Sequence, residues 1–169
     1  MTSEVISPAG VPSFEFEPHN CFACGELNEH GLHLSLHLDE RRSWSEFVLE
    51  ERFEGWLGVT HGGIIATILD EVMAWSLASE NNWGVTARMA IEYKKPVPVG
   101  TRVRAEGWIV RSRRRLVDTA GQILAADGTV LATAEAIYVA ANEERKRELF
   151  ERYGVRIRNA RTSGEGISK

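Results

Sequence analysis

The sequence has few cysteines, few prolines and no long hydrophobic run. Its 169 residues include two cysteines, five prolines and 8% aromatic residues. Two cysteines cannot supply the disulfide framework of a small secreted protein. No stretch approaches the roughly 18 consecutive apolar residues that span a bilayer, and residues 1–4 lack a basic segment followed by an apolar run. We therefore expect a cytoplasmic protein without a membrane partner.

Positive charge is also scarce. Lys and Arg number 20 against 24 Asp and Glu, for a formal net charge of −4. Nucleic-acid binding requires a concentrated basic surface, so no nucleic-acid partner is expected. At 43% hydrophobic residues the chain can build one full core. We divide it into a flexible N-terminal arm (1–18), one folded domain (19–141), a short C-terminal helix (142–153) and a frayed tail (154–169).

One segment, residues 62–79, predicts a long buried helix. Its apolar residues recur at i, i+4 and i+8 and form one broad face: Ile64, Ile65, Ile68, Leu69, Val72 and Met73. Asp70 falls on the opposite side, among small residues. That surface is weakly polar, and its small side chains allow another molecule to approach the helix closely.

The rest of the chain predicts β-strands, at about 32–38 and 44–53 before the helix and at 85–94, 102–113, 116–126 and 129–140 after it. In the strand 85–94, strict alternation places Met89 and Ile91 on one face and Thr86 and Arg88 on the other. Consecutive antiparallel strands are the only available cover for so apolar a helix. The predicted class is α+β, with a curved sheet around a central helix.

The start of this helix combines His61-Gly62-Gly63 with a carboxylate two turns later, at Asp70. Free N–H groups in a first helical turn attract negative charge, and glycines allow a substrate oxygen to approach. A carboxylate on a small-residue face suits general-base or nucleophilic chemistry. The alternatives are that His61 only caps the helix and that Asp70 is a solvated residue. Glu71 is the rival carboxylate, either a buried structural group or the true base.

Cys21 and Cys24 form a C-x-x-C pair near three histidines. Such a pair has two functional interpretations, a zinc site and a redox pair. The histidine spacing fits no finger pattern, and the surrounding sequence indicates a loop rather than a helix start. The favoured interpretation is two loop cysteines that pack against the domain, with no bound metal.

Several motifs resemble one known family. They are H-G-G at 61–63, L-D-E at 69–71, Thr86, the run I-E-Y-K-K-P-V-P at 91–98 and the N-terminal C-F-A-C-G at 21–25. The resemblance extends from about residue 20 to 139. Together these motifs are similar to the hotdog-fold acyl-CoA thioesterases of the phenylacetate-degradation type, within the thioesterase superfamily.

The resemblance implies a hotdog fold and hydrolysis of an acyl-CoA thioester to a free carboxylic acid and CoA. It implies that Asp70 is the general base or nucleophile, that Thr86 positions the attacking water, and that the Gly62 N–H, helped by Gly63, polarises the thioester carbonyl. Relatives carry Asn where this chain has Gly55, which leaves His61 or a water to orient the thioester.

The resemblance also implies a site shared between two subunits of a homodimer, with a dimer of dimers (a homotetramer) left open. No cofactor is expected besides the coenzyme A of the substrate. For the CoA phosphates the candidates are Lys94 and Arg113, although a solvated hairpin explains an arginine there equally well. The alternative function is a non-catalytic acyl-CoA or acyl-carrier binding protein on the same fold.

Overall fold

A central helix beneath an antiparallel sheet organises the protein. The computed structural model describes residues 3–5 and 13–158. Their elements, in chain order, are β1 (Ser3–Val5), β2 (Ser13–Phe16), β3 (His37–Asp39), β4 (Arg42–Val48), β5 (Glu54–Trp56), β6 (Val59–Thr60), α1 (Gly62–Ser76), β7 (Gly84–Tyr93), β8 (Arg102–Arg113), β9 (Leu116–Ala125), β10 (Val130–Ala140), α2 (Glu143–Arg152) and β11 (Arg156–Arg158). Short 3-10 helices cover Glu51–Phe53 and Leu77–Glu80.

Six strands form the main sheet in the order β3-β4-β8-β9-β10-β7, with every neighbouring pair antiparallel. One face of this sheet covers α1, and the strands alternate between buried and more exposed residues as the sequence pattern predicts. The predicted α+β class with a central helix is confirmed. β7 occupies one edge of the sheet, and most of its residues are exposed.

The helix lies very close to the sheet at Gly107 of β8. A Cβ atom there would lie 2.4 Å from the backbone oxygen of Val72, so only glycine fits. Ser43 of β4 donates its hydroxyl to the same oxygen. These contacts from β8 and β4 fix how α1 sits beneath the sheet.

The helical segment also corrects one expectation from the sequence. Gly62–Glu80, with a mean hydropathy of 1.2, is by length and composition apolar enough to cross a bilayer. Half of it is buried within the protein, as is usual for the core helix of a folded domain. Its apolar residues are explained by the sheet that covers them.

The expectation of a flexible arm is wrong for residues 13–18. β2 pairs with both β1 and β11, and Phe14 and Phe16 are buried. Their rings join an aromatic cluster with Trp75, Trp83 and Phe150. The expected frayed tail likewise contains β11, while residues 159–169 lie outside the described part.

The region before the helix is less regular than predicted. Leu34, Leu36 and Leu38 alternate in burial as expected, yet ladder pairing starts only at β3, after a left-handed His33 (φ 50°). The second predicted strand, 44–53, ends at Val48 and is followed by a 3-10 helix. The short β5–β6 hairpin was not predicted. Its tip exposes two large apolar side chains, those of Trp56 and Leu57.

Candidate active site

Asp70 lies in the middle of α1, and its carboxylate is held on one side by two hydroxyl groups. Its Oδ1 accepts from Thr86 Oγ1 at 2.7 Å and from the Tyr138 hydroxyl at 2.8 Å. The Tyr138 hydroxyl also lies 2.9 Å from the backbone oxygen of Asp70. No donor among the described residues reaches Oδ2. One oxygen therefore fixes the carboxylate while the other stays free for chemistry.

A β-bulge brings Thr86 to this position. On β7, Arg88 pairs with Ile137 of β10 but Thr86 pairs with Tyr138, so Ala87 is an extra residue. Strict alternation placed Thr86 on the face opposite Met89 and Ile91. The bulge shifts the alternation by one residue and turns Thr86 toward the helix.

Tyr138 is the site residue that sequence reasoning missed. It is fully buried, and burial together with the neighbouring Asp70 charge raises the pKa of its phenol well above the usual range. It therefore stays protonated and donates to the carboxylate. A signal existed, since Tyr138 is the one large polar residue on the alanine-rich, helix-facing side of β10.

His61 is the N-cap of α1. Its Nδ1 accepts from the Gly63 N–H at 2.9 Å, and its backbone oxygen accepts from Ile64 and Ile65. The expected help from Gly63 is thus wrong in this conformation, because its N–H already serves the cap. The Gly62 N–H has no acceptor among the described residues and remains the free donor.

Gly55 lies in close contact with the backbone of His61. A Cβ atom at residue 55 would lie 2.9 Å from the Cα of His61. The backbone of β5 therefore lies directly against the helix cap. An asparagine at position 55 would need this hairpin to move.

A cavity of about 380 Å³ opens beside the helix start. It is lined by Gly62, Thr60, Tyr93, Lys94, Lys95 and neighbouring residues. The buried Thr60 hydroxyl has no hydrogen-bond partner, and the Tyr93 hydroxyl donates to the Gly62 oxygen at 3.0 Å. Lys94 forms an exposed ion pair with Glu92 at 2.9 Å. An anionic group entering this cavity would meet a free N–H and two lysines.

Arg113 lies elsewhere. It ends β8 beside Ser112, whose hydroxyl donates to Glu80 just after the C-terminal end of α1. Its ion pair with Asp118 is long, at 3.9 Å, and its side chain is mostly exposed. The structure therefore does not bring Arg113 and Lys94 together within one protomer.

Asp70 and Gly62 are also apart within one protomer. Eight residues of α-helix separate them, which is roughly 12 Å along the axis. One thioester carbonyl cannot contact both groups of the same chain. The described protomer therefore contains both groups without bringing them together.

Glu71 faces a different environment from Asp70. Its carboxylate accepts from Trp75 Nε1 at 2.9 Å, and one of its oxygens lies within 4.8 Å of the Cys24 sulfur. Burial raises the pKa of Glu71 to about 7, with a contribution from the charge of Cys21. None of its hydrogen bonds involves Thr86 or Tyr138. Glu71 is thus a partly buried group beside the cysteine loop, whereas Asp70 is the carboxylate that two hydroxyl groups hold.

The loop cysteines are unpaired and half-buried, and they pack against the core. The Cys24 thiol and the N–H groups of Ala23 and Cys24 hydrogen-bond to the Cys21 sulfur, which lowers the pKa of Cys21 to about 5. The hydrogen bond to Cys21, together with burial, raises the pKa of the Cys24 thiol.

A long helix enclosed by an antiparallel sheet, with a carboxylate in the middle of the helix and glycines at its start, defines a hotdog-fold domain. Residues 57–132 match the family model described as the thioesterase superfamily. This part of the chain is therefore similar to the thioesterase superfamily, in agreement with the resemblance found in the sequence.

Individual proteins agree with this assignment. An acyl-coenzyme A thioesterase THEM4 from Xenopus laevis is 33% identical over 101 residues, which cover 59% of this chain and 46% of that protein. The chain thus spans about half the length of this curated relative. The crystal structure of RHA08564, a thioesterase superfamily protein, has a TM-score of 0.68 and 27% identity over 71% of this chain and 60% of its own.

A hypothetical thioesterase protein from Streptococcus pneumoniae TIGR4 shares the fold. Its structure with coenzyme A has a TM-score of 0.60 and 18% identity, covering 62% of this chain and 82% of its own. It has also been solved as two variants in which an aspartate and a threonine, sixteen positions apart, are each replaced by alanine.

Proposed function

We propose that the protein hydrolyses acyl-CoA thioesters, with Asp70 as the general base or nucleophile. The observation that carries this proposal is the asymmetric carboxylate: Oδ1 is held by Thr86 and Tyr138, and Oδ2 is free. The relative named as an acyl-coenzyme A thioesterase and the coenzyme A complex of the pneumococcal protein support the substrate class. The separation of Asp70 and Thr86 equals the sixteen positions between the two residues changed in that protein.

In the general-base route, Asp70 takes a proton from a water whose oxygen attacks the thioester carbonyl carbon. The carbonyl electrons move onto oxygen, where the Gly62 N–H at the positive helix end stabilises them. Collapse of this intermediate breaks the C–S bond and releases CoA, whose sulfur takes up a proton. In the nucleophilic route, Asp70 attacks the carbon itself, CoA leaves, and water cleaves the resulting mixed anhydride. General-base assistance contributes roughly 10²- to 10⁴-fold.

A second copy of the chain would complete the site. β7 leaves one edge unpaired in the main sheet, with Val85 and Tyr93 exposed along it. Such an edge is a template for pairing with another strand. Two copies of β7 paired antiparallel about a two-fold axis would join both sheets into one.

Antiparallel pairing also brings the right groups together. Tyr93 binds Gly62 at one end of β7, and Thr86 binds Asp70 near the other end. In a two-fold antiparallel pair these ends are exchanged, so Asp70 of one copy approaches the helix start of the other. This closes the gap of roughly 12 Å that separates Asp70 and Gly62 within one chain. We therefore place each active site between two subunits of a homodimer.

The same pairing suggests where the CoA phosphates bind. Arg113 ends β8 near the Thr86 end of the sheet, and Lys94 lies at the cavity beside Gly62. In the proposed dimer, Lys94 of one copy and Arg113 of the other would lie near the same end of each active site. A guanidinium and an ammonium group there suit a pyrophosphate.

Asp70→Asn tests the chemistry. The substitution keeps the shape of the side chain and removes its basicity, so thiol release from acyl-CoA should fall at least 100-fold. Circular dichroism and the oligomeric mass should stay unchanged. A folded variant with near wild-type turnover would remove Asp70 from the mechanism, and acyl-CoA binding without turnover by the wild type would show a non-catalytic binding protein instead.

Subunit complementation tests the shared site. Gly62 occupies the first helical position, where proline is well tolerated, and His61 has the extended backbone that precedes proline readily (φ −60°, ψ 133°). Gly62→Pro should therefore delete the free N–H without breaking the helix, at a cost of about 2.7–4 kcal/mol in the barrier.

Mixing Gly62→Pro with Asp70→Asn then distinguishes the two arrangements. Random exchange makes half of the dimers mixed, and each mixed dimer holds one complete site, so roughly a quarter of wild-type activity should return. No return of activity, with subunit exchange verified by mass spectrometry, would mean that each site lies within one chain.

A further inference from the structure

The loop that contains the two cysteines meets α1 at Glu71. The sulfur atoms of Cys21 and Cys24 and a carboxylate oxygen of Glu71 all lie within 4.8 Å of one another. Glu71 follows Cys24 by 47 positions in the chain, so only the fold brings it to the cysteine pair. The three residues form a compact cluster of metal-ligating groups that the proposed hydrolysis does not use.

The loop backbone is shaped to present these sulfurs. The Gly25 N–H donates to the Cys21 oxygen at 2.9 Å. A Cβ atom on Gly25 would lie 2.4 Å from both the Cys21 nitrogen and the His19 oxygen. The turn is therefore tight enough to require glycine, and it brings the two cysteine residues close together.

The loop is also firmly attached to the domain. The Leu32 N–H donates to the Phe22 oxygen at 2.8 Å, and the Leu34 N–H donates to the Ala23 oxygen at 2.9 Å. These bonds hold the residues between the two cysteines. The sulfurs are thus positioned by the fold before any ligand arrives, which limits the ordering cost of binding.

The cluster concentrates acidic groups without a strong cation. Among the residues that the structure describes, no Lys or Arg forms an ion pair with Glu71. The nearby ring of His19 accepts from the Cys21 N–H at 3.3 Å through Nδ1. Partly buried groups of this kind lose solvation when they ionise, and a bound cation would offset that cost.

From this geometry we infer that Cys21, Cys24 and Glu71 bind a zinc-class divalent cation. Two thiolates and one carboxylate form a ligand set that suits Zn²⁺. Of the three ligands, Cys21 lines a cavity of about 390 Å³, from which a water could supply the fourth ligand of a tetrahedral site. A zinc ion would lie about 2.0–2.3 Å from each ligand atom. The three ligand atoms, now within 4.8 Å of one another, would then move somewhat closer together.

The bound ion would connect the N-terminal loop to the helix that carries Asp70. This inference does not depend on the proposed hydrolysis, because the cluster contacts neither Thr86 nor Tyr138. It differs from the zinc finger rejected on sequence spacing, since the third ligand comes from the helix. The expected consequence is a metal-dependent gain in stability.

The test uses the full chain, purified under reducing conditions from zinc-supplemented medium. Elemental analysis should find about one zinc per chain. Replacement by Co²⁺ should give sulfur-to-cobalt charge-transfer absorption and visible bands of a tetrahedral site. At a hundredfold excess of free Zn²⁺ over Kd, the thermal midpoint should rise by roughly 5–10 °C relative to the chelated protein.

Three variants assign the ligands: Cys21→Ser, Cys24→Ser and Glu71→Gln should each lower zinc content and remove the midpoint shift. Glu151→Gln, on the exposed side of α2, is the matched control and should keep both. Circular dichroism verifies folding, and titration of apo wild type with Co²⁺ gives the answer without any variant. Three results would overturn the inference: no stoichiometric zinc and no cobalt spectrum, metal that all three variants retain, or a Cys21–Cys24 disulfide whose formation zinc does not inhibit.

Discussion

Removal of the Tyr138 hydroxyl is the sharpest test of how the fold prepares Asp70. Tyr138→Phe keeps the buried ring, so the core packing is retained, but it deletes the donor that lies 2.8 Å from Asp70 Oδ1 and 2.9 Å from the Asp70 backbone oxygen. Thr86 then becomes the only described side chain that donates to the carboxylate. The carboxylate can rotate, and Oδ2 no longer has a fixed direction toward the substrate.

The size of the effect follows from the kind of bond that is lost. A hydrogen bond to a charged group contributes about 1.5–3 kcal/mol. If that energy is used to orient Asp70 in the transition state, kcat should fall roughly 10- to 150-fold, at about 1.4 kcal/mol per tenfold change. KM should change little, because Tyr138 is fully buried and is not exposed to the substrate.

The assay is thiol release from an acyl-CoA panel, measured for the wild type and for each variant described below. Tyr138→Phe and Thr86→Val should each lower kcat, and their combination should cost less than the product of the single effects, since both donors act on one oxygen. Neither change should matter once Asp70 is Asn. Thr133→Val is the control for loss of a hydroxyl group, because Thr133 lies on the same strand as Tyr138, β10, but on its other face. The reasoning is refuted if Tyr138→Phe keeps wild-type kcat, or if it lowers the residual rate equally in the Asp70→Asn background.

Two further predictions concern binding and packing. Lys94→Glu and Arg113→Glu should each raise KM several-fold for acyl-CoA with kcat unchanged, because we propose that both residues contact the phosphates rather than the carbonyl. A KM equal to that of the wild type in either variant would remove that residue from the proposed binding site. Gly107→Ala should lower the free energy of unfolding by about 1–3 kcal/mol, because its Cβ would lie 2.4 Å from the backbone of α1. Urea titrations measure this change, and an unchanged unfolding midpoint would show that the helix can shift freely.

The parts of the structure that the sequence predicts well depend on local periodicity. The helix at 62–79 and the four strands after it follow from patterns that repeat every 3.6 or 2 residues, and the observed elements match them within a few residues. The positions of Asp70 and Gly62 on the helix follow from the same arithmetic. These features are predictable because each is set by residues close in the chain.

The features that were missed depend on distant partners. The position of Thr86 requires a bulge at Ala87, and a bulge is visible only once the pairing of β7 with β10 is known. Tyr138 lies 68 positions from Asp70, so no spacing in the sequence relates them. The prolines of the N-terminal segment predict a flexible arm, but Phe14 and Phe16 are held by contacts with β11 and the aromatic cluster, which are distant in the chain.

The two neighbouring carboxylates show how one helix serves two environments. Asp70 and Glu71 differ by about 100° around the axis, which is enough to direct one toward β7 and β10 and the other toward the cysteine loop. Asp70 can point at a substrate only if α1 cannot rotate, since a displacement of about 1 Å can cost a hundredfold in rate. Gly107 and Ser43 hold the helix from the sheet side, and Glu71 packs near Cys21 and Cys24 on the side of the N-terminal loop. Gly107, Ser43 and Glu71 therefore help to fix the direction in which Asp70 points.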